Sequence, residues 1–314
     1  MSYDYRYLQS KHPYDPVQLE KVCRISDTLE RITQIQFLRE HLSLYGGTAL
    51  NFIHFPQIQR LSVDIDFNYR HQGEKTDWGE IRTEIDKNIK EILASQGYKD
   101  QDTKIDASYP LSRFTIKYTN HQNTQDTFKI ETGYMKRIPI LANDAYLDFK
   151  HIGKETNFKV KTPKHEEIYA NKIITLLDRA TPRDLYDVTS ISETTTDHDT
   201  LRKCIIIESL MSLKQPLTKI NPKQIINKIP YDERIRTVSI QQHKPDIKEI
   251  KQKAETYTNK IIKNLSESEK QCINSFYEDN KFEPALLNAK QIHPDIEKHP
   301  GILRALELLS QVKS

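Results

Sequence analysis

The sequence is poor in glycine and cysteine and has no long apolar segment. Only 8 of its 314 residues are glycine, and two of these are adjacent, at Gly46 and Gly47. The three cysteines, Cys23, Cys204 and Cys272, are widely spaced, which excludes a disulfide framework and a paired-cysteine zinc site. No apolar run approaches the length of about 18 residues that a transmembrane helix needs. We therefore expect a reduced cytoplasmic protein without a membrane segment.

The excess of basic over acidic residues is also small, at 47 Lys and Arg against 44 Asp and Glu. The formal net charge is +3, hydrophobic residues make up 36% and charged residues 29%, so a buried core is possible and a strongly basic nucleic-acid binder is not indicated. Between Lys219 and Lys263, however, eleven Lys or Arg stand against five Asp or Glu. This stretch is either a patch for a polyanion or a solvated helical surface. The N-terminal segment MSYDYRYLQSKHPYD has no apolar signal region, so we expect no export.

Hydrophobic spacing predicts an α/β (α+β) domain followed by helices. Apolar residues at helical spacing predict one or two helices within residues 17–43, and alternating residues predict strands further on. Thr48 is predicted to cap a short helix that follows the glycines. After residue 150 the pattern is helical and is interrupted at Pro216, Pro222, Pro230 and Pro245. The remaining predicted elements are strands at 42–45, 61–67, 112–117 and 126–132 and helices at 49–55 and 77–96.

Asp64 and Asp66 are candidate metal ligands. On a strand, residues i and i+2 share a face, so the two carboxylates project together while Ile65 points into the core. Mg²⁺ beside substrate phosphates requires such hard oxygen ligands. Taken alone, two aspartates on an exposed strand are as well explained by solubility.

Three other motifs share these letters. An EF-hand loop beginning at Asp64 needs glycine and glutamate where the chain has Tyr69 and Lys75, and GGTALNF lacks the lysine of a phosphate-binding Walker loop. A nucleotide-sugar glycosyltransferase also uses two such aspartates, but it does not require a nearby glycine pair. The aspartates and the glycine pair together favour a phosphate and metal site.

The glycine pair lets the backbone approach a ligand, and a helix that starts near Thr48 would turn free N–H groups towards an anion. Arg60 and Ser62 lie between the glycines and the aspartates and are candidates for orienting a nucleotide or for bracing the turn. Glu131, which alternates with apolar Ile130, is a candidate third metal ligand, and an exposed strand glutamate explains it nearly as well.

A second cluster lies in NKIITLLDRATPRDLYD, residues 171–187. Lys172 stands beside an apolar helical stripe, from which a lysine can reach phosphate oxygens. Structural explanations exist for other members of the cluster. Thr181 with Asp184 fits a capping box, and Arg183 with Asp187 fits a surface ion pair.

Three segments stand in a characteristic order: GGTAL at 46–50, RLSVDIDF at 60–67 and KIITLLDRATPRDLYD at 172–187. In this combination the chain resembles the AbiEii family of nucleotidyltransferase-like toxins, which belong to type IV toxin–antitoxin and phage-abortive systems and include the mycobacterial MenT enzymes. The resemblance runs from about residue 20 to about residue 310 and includes LSESEKQCINSFYEDNKFEPALL and HPGILRALE.

The resemblance implies a DNA polymerase β-like nucleotidyltransferase domain with N-terminal helices, residues 1–150, and a helical domain, residues 151–314. It implies transfer of a nucleoside monophosphate from an NTP, with Mg²⁺ or Mn²⁺ as cofactor. The implied acceptor is RNA, in some relatives the 3′ end of tRNA, whose extension would stop translation. The implied partner is a separately encoded antitoxin.

The same resemblance assigns roles to residues. Asp64 and Asp66 would hold the metal, and Lys172 and Asp187 of the helical domain would complete the site. The triphosphate would lie on Gly46, Gly47 and Thr48. One departure stands out, because relatives often place lysine before the glycine pair and this chain has Tyr45. A protein or small-molecule acceptor, or a non-catalytic scaffold, remains an alternative at this stage.

Overall fold

The computed structural model of the chain describes residues 3–71, 75–230 and 246–313. They form two compact units. The first contains residues up to 137 together with 144–163, and the second contains 138–143 and most of the chain from residue 164 onward. The main division therefore follows Pro163 rather than residue 150. Within the predicted basic stretch, Arg234, Arg236 and Lys244 lie outside the described residues, as does the predicted break at Pro245.

Helices precede the sheet of the first unit. They are α1 (Tyr5–Lys11), α2 (Pro16–Gln34) and α3 (Gln36–His41). Asp15 caps α2 by accepting hydrogen bonds from the backbone N–H groups of Val17 and Gln18, and Pro16 occupies the first helical position, where its missing N–H costs nothing. Apolar residues at helical spacing, from Leu19 to Ile32, are buried along α2, as an amphipathic helix requires.

The first unit contains a five-stranded sheet in the order β1-β2-β5-β4-β3. β2 and β5 run parallel, and the other neighbouring strands are antiparallel. The predicted strands at 42–45, 112–117 and 126–132 are present, whereas the strand predicted from Leu61 begins only at Asp64. The strands are β1 (Leu42–Tyr45), β2 (Asp64–Tyr69), β3 (Thr103–Asp106), β4 (Leu111–Thr119) and β5 (Gln125–Gly133).

Two further helices and a two-stranded sheet complete the first unit. Helix α4 (Gly46–Ala49) continues into a π-helical segment, Leu50–His54, so the predicted cap at Thr48 is wrong. The helix begins at Gly46 because the left-handed backbone of this residue turns the chain directly after β1. Helix α5 (Lys75–Ser95) matches the prediction for 77–96. Strands β6 (Ala145–Phe149) and β7 (Phe158–Thr162) pair with each other.

The second unit is helical, as the sequence predicts. Its core lies along α8, where the run from Cys204 to Ile207 is buried. Pro222 does not break a helix but begins α9, which suits proline at a first helical position. The helices are α6 (His165–Arg179), α7 (Pro182–Ser192), α8 (His198–Ser212), α9 (Pro222–Asn227), α10 (Ile247–Lys263), α11 (Glu267–Glu278) and α12 (Pro300–Lys313).

The described residues contain no disulfide bond. Cys23, Cys204 and Cys272 are all buried free thiols, as their spacing predicts. Among the helices of the described ranges, none has the length and apolar character needed to cross a membrane.

Candidate active site

The glycine turn lies directly against one of the two aspartates. Gly46 has a φ of 68°, in the left-handed region, and a Cβ atom added there would lie 2.3 Å from Oδ2 of Asp66. A side chain at this position would therefore both strain the backbone and displace the carboxylate. The glycine is required because the turn and Asp66 occupy adjoining space.

Gly47 packs against the two residues whose roles the sequence leaves open. A Cβ atom on Gly47 would lie 2.8 Å from Oγ of Ser62 and 3.0 Å from Nη2 of Arg60. Both side chains are buried, and Nη1 of Arg60 donates a hydrogen bond to the carbonyl oxygen of Leu61 at 3.0 Å. The structure thus brings Arg60 and Ser62 to the turn and places a buried positive charge beside it.

Asn51 is also part of this arrangement, although the sequence motifs do not predict it. Its Nδ2 donates a hydrogen bond to the carbonyl oxygen of Gly47 at 3.0 Å, and its Oδ1 accepts one from the backbone N–H of Arg60 at 3.1 Å. The side chain is fully buried. A polar amide between Leu50 and Phe52 in a short apolar helix is the signal that could have identified it, because buried amides need partners.

Thr48 links the turn to β2. Its hydroxyl donates a hydrogen bond to the carbonyl oxygen of Asp64, and the residue is fully buried. The N-cap of α4 is Tyr45, and no side chain caps this helix end. If Thr48 contacts a phosphate, the donor is its backbone N–H rather than the hydroxyl proton.

A row of side chains crosses the sheet at Asp66. Tyr45 pairs with Asp66, Asp66 with Glu131, and Glu131 with Arg113. Residues paired in this way project from the same face. Glu131 therefore lies beside Asp66, as a third ligand would require, but its Oε1 also accepts a hydrogen bond from Nε of Arg113 at 2.6 Å.

The two aspartates meet the chemical requirements of a divalent cation. Asp64 and Asp66 share one face of β2, and both residues are half-buried. Mg²⁺ keeps several waters and takes one or two carboxylates together with phosphates, which fits this pair. Asp64, Asp66 and Glu131 are not among the described groups that bring three ligand atoms within 4.8 Å, so the metal role of Glu131 stays a prediction.

Another cluster does bring three such atoms together, at Asp27, Glu30 and His151. A cation of the chain itself already occupies it, because Nζ of Lys154 lies 2.9 Å from Asp27 and 2.5 Å from Glu30. Burial alone would raise the pKa of Asp27, but hydrogen bonds from His151, Lys154 and Tyr3 lower it to about 2. This cluster is an internal ion network that ties the first unit together.

Lys172 and Asp187, whose roles the family resemblance implies, form a buried ion pair in the second unit. Nζ of Lys172 on α6 lies 3.0 Å from Oδ2 of Asp187 on α7, with side-chain exposures of 8% and 1%. Ala180, with a left-handed φ of 52°, ends α6 and reverses the chain so that the two helices lie side by side. The alternative of a surface pair between Arg183 and Asp187 is wrong, because Asp187 is buried.

Asp184 has the structural role that the sequence allowed for it. It accepts hydrogen bonds from Nε and Nη2 of Arg179 at 2.7 and 2.8 Å and one from the hydroxyl of Thr181 at 2.5 Å. Thr181 in turn accepts from the backbone N–H of Asp184 at 3.4 Å. These bonds fix the corner between α6 and α7, and they place Lys172 and Asp187 in register.

Comparison with known proteins shows the family and the fold of the chain. The family model described as "Nucleotidyl transferase AbiEii toxin, Type IV TA system" matches residues 27–267. MenT4, a nucleotidyltransferase toxin from Mycobacterium tuberculosis H37Rv, is similar over 93% of both chains, with 15% sequence identity and a TM-score of 0.59. This likeness confirms the predicted nucleotidyltransferase fold with its helical second part.

Two further comparisons add nothing to the assignment of fold or family. An antigenic nucleotidyltransferase-like protein from Paracoccidioides brasiliensis covers 66% of this chain and 96% of its own at 13% identity, with a TM-score of only 0.33. No curated protein sequence matches the chain.

Proposed function

The chain belongs to the AbiEii family of nucleotidyltransferase toxins of type IV toxin–antitoxin systems, and from this premise we propose that it moves a nucleoside monophosphate from an NTP to a hydroxyl of RNA. Membership makes the chain a nucleotidyltransferase and implies an NTP substrate and an antitoxin partner. The proposed acceptor is the 3′ end of tRNA, and its extension would stop translation in the cytoplasm.

The close packing of Gly46 against Asp66 is the observation that carries the proposal. It puts a turn without side chains next to a carboxylate, and Asp64 lies on the same face of the strand. A triphosphate can therefore approach the backbone at the point where carboxylates are available for its counter-ion.

Asp64 and Asp66 would hold Mg²⁺ or Mn²⁺. When bound, such an ion neutralises phosphate charge and polarises the phosphorus–oxygen bonds. The chain itself supplies positioning. Asn51 fixes the carbonyl of Gly47, Thr48 fixes the helix to β2, and the buried guanidinium of Arg60 adds positive charge beside the turn. Pre-organised groups of this kind account for much of the catalysis in phosphoryl-type transfers.

Part of the basic stretch supports a polyanionic acceptor. Helix α10 carries five lysines and two glutamates, and Lys248, Lys260 and Lys263 are exposed. Lys253 is engaged with Glu193 and Glu249, so not every lysine of the helix contributes equally. Exposed lysines along one helix can attract a nucleic-acid backbone, an attraction that weakens with salt.

The direct test incubates purified protein with Mg²⁺, each of the four α-labelled NTPs and total RNA. We expect one or more NTPs to label RNA, with the label concentrated in tRNA and lost when EDTA removes the metal. tRNA oxidised with periodate lacks its terminal 3′ hydroxyl and serves as the matched control, which should remain unlabelled. Label in the protein or small-molecule fraction instead of RNA would replace the proposed acceptor by one of those classes.

A comparison of Gly46 with Gly97 offers a second test, because both residues have left-handed backbones. A Cβ on Gly46 meets Asp66, whereas one on Gly97 meets nothing within 4 Å. Both alanine variants should lose roughly 1 kcal/mol of unfolding free energy from backbone strain. Only Gly46→Ala should also lower the initial rate of transfer, by about 100-fold, because small displacements of a reacting group are costly. Equal rates in the two variants would show that the contact with Asp66 has no part in catalysis.

A further inference from the structure

Lys136 places its ammonium group on the side chain of Tyr45. Nζ of Lys136 lies 3.1 Å from the hydroxyl oxygen of Tyr45, to which it donates a hydrogen bond, and 4.8 Å from the centroid of the ring. Tyr45 is 6% exposed. A hydrogen bond and a cation–π contact to the same buried ring together restrict where the ammonium can be.

The backbone of Lys136 is held as firmly as its side chain. The carbonyl oxygen of Lys136 accepts a hydrogen bond from Nη1 of Arg70 at 2.6 Å. Arg70 in turn donates two hydrogen bonds to Asp144, at 2.8 and 3.2 Å, and both side chains of this pair are almost fully buried. A buried bidentate pair has one favoured geometry, so Lys136 has a fixed place on the first unit.

That place adjoins the glycine turn. Tyr45 ends β1, directly precedes Gly46, and is the register partner of Asp66. The ammonium of Lys136 is thus one tyrosine side chain away from the backbone of the turn. Position 45 carries no cation of its own, but the ammonium of Lys136 is held at the end of the Tyr45 side chain.

We propose that Lys136, held by Tyr45, contacts the phosphates of the bound NTP and is the cation that this chain uses in place of a lysine before the glycines. This proposal rests on the proposed function. A triphosphate carries several negative charges, whereas a monophosphate at the reacting position carries fewer and extends less far. An ammonium group beyond the turn should therefore contribute more to the affinity for NTP than to the affinity for NMP.

The test measures binding of NTP and of the matching NMP, both with Mg²⁺, by titration calorimetry. Lys136→Met should weaken NTP binding about tenfold, the size of one charge-assisted contact, and NMP binding less than about twofold. Lys136→Arg should retain most of the NTP affinity. Tyr45→Phe should lose about threefold, because the ring remains and only the hydroxyl that holds the ammonium is removed. Lys87→Met, on the exposed surface of α5, is the matched control and should change neither affinity.

Either of two results would overturn the proposal. These are an NTP affinity of Lys136→Met equal to that of wild type, or equal losses for NTP and NMP. If Lys136→Met melts more than about 5 °C below wild type, the loss of NTP affinity relative to NMP affinity is measured in Tyr45→Phe and Lys136→Arg instead. A loss for NTP in Tyr45→Phe no greater than its loss for NMP would then overturn the proposal. Failure of the proposed function has a different signature. Wild-type protein that binds NTP through Lys136 but labels no acceptor would refute nucleotidyl transfer to RNA and leave this inference standing.

Discussion

Replacing Asp66 with asparagine should lower the rate of nucleotidyl transfer at least about 1000-fold, which corresponds to roughly 4 kcal/mol of lost transition-state stabilisation. The amide has nearly the shape of the carboxylate, so the contact with Gly46 is retained while the negative charge is lost. Because an amide binds divalent cations far more weakly than a carboxylate does, the remaining Asp64 would hold the metal poorly.

The measurement is the initial rate of RNA labelling at saturating NTP, with melting temperatures recorded in parallel. Asp106→Asn is the matched control, since Asp106 is paired with Arg113 at the far end of the same row of the sheet and is exposed. We expect its rate to remain within about twofold of wild type, as for surface substitutions in general. An Asp66→Asn variant that is folded and transfers within fivefold of wild type would contradict the assignment of Asp66 to catalysis.

The spacing of apolar residues and the positions of the glycines are sufficient to predict most strands of the first unit and the turn between β1 and α4. The alternation around Ile65 placed Asp64 and Asp66 on one face, and the scarcity of glycine identified the turn at Gly46. Both inferences depend only on the geometry of neighbouring residues, which the period of a strand and the conformational freedom of glycine determine.

What the sequence could not show was contact between residues far apart in the chain. Tyr45 and Lys136 are separated by 91 positions and are brought together by the order of strands in the sheet. Similarly, Glu131 was predicted from alternation alone, but its partner Arg113 depends on the register of β4 against β5. Register follows from long-range pairing, which a single sequence does not reveal.

The predicted start of the helix after β1 is wrong for a related reason. The helix after β1 was predicted from Thr48 because threonine is a common cap, but Gly46 turned the chain earlier and the hydroxyl of Thr48 bonds to Asp64 instead. A local propensity was overridden by a contact with the neighbouring strand. The same contact explains why Thr48 is buried, although caps are commonly exposed.

The ion pair of Lys172 and Asp187 gives the second large effect. Lys172→Met should destabilise the protein by about 3–5 kcal/mol, because it leaves the buried carboxylate of Asp187 without its charged partner. The double variant Lys172→Met/Asp187→Leu should recover most of this loss, since an apolar pair of similar volume needs no compensation. Urea unfolding measures both values. Lys203→Met is the control, because Asp199, its partner on α8, is 54% exposed and the pair should contribute at most about 1 kcal/mol.

Activity in the same variants separates structure from catalysis. A pair that only supports the corner between α6 and α7 would regain transfer when the double variant regains stability. A pair that takes part in nucleotidyl transfer, as the family resemblance implies, would leave the stable double variant without activity, because neither an ammonium nor a carboxylate remains to act on charge that develops during the reaction. A stable double variant that labels RNA at the wild-type rate would therefore restrict Lys172 and Asp187 to a structural role.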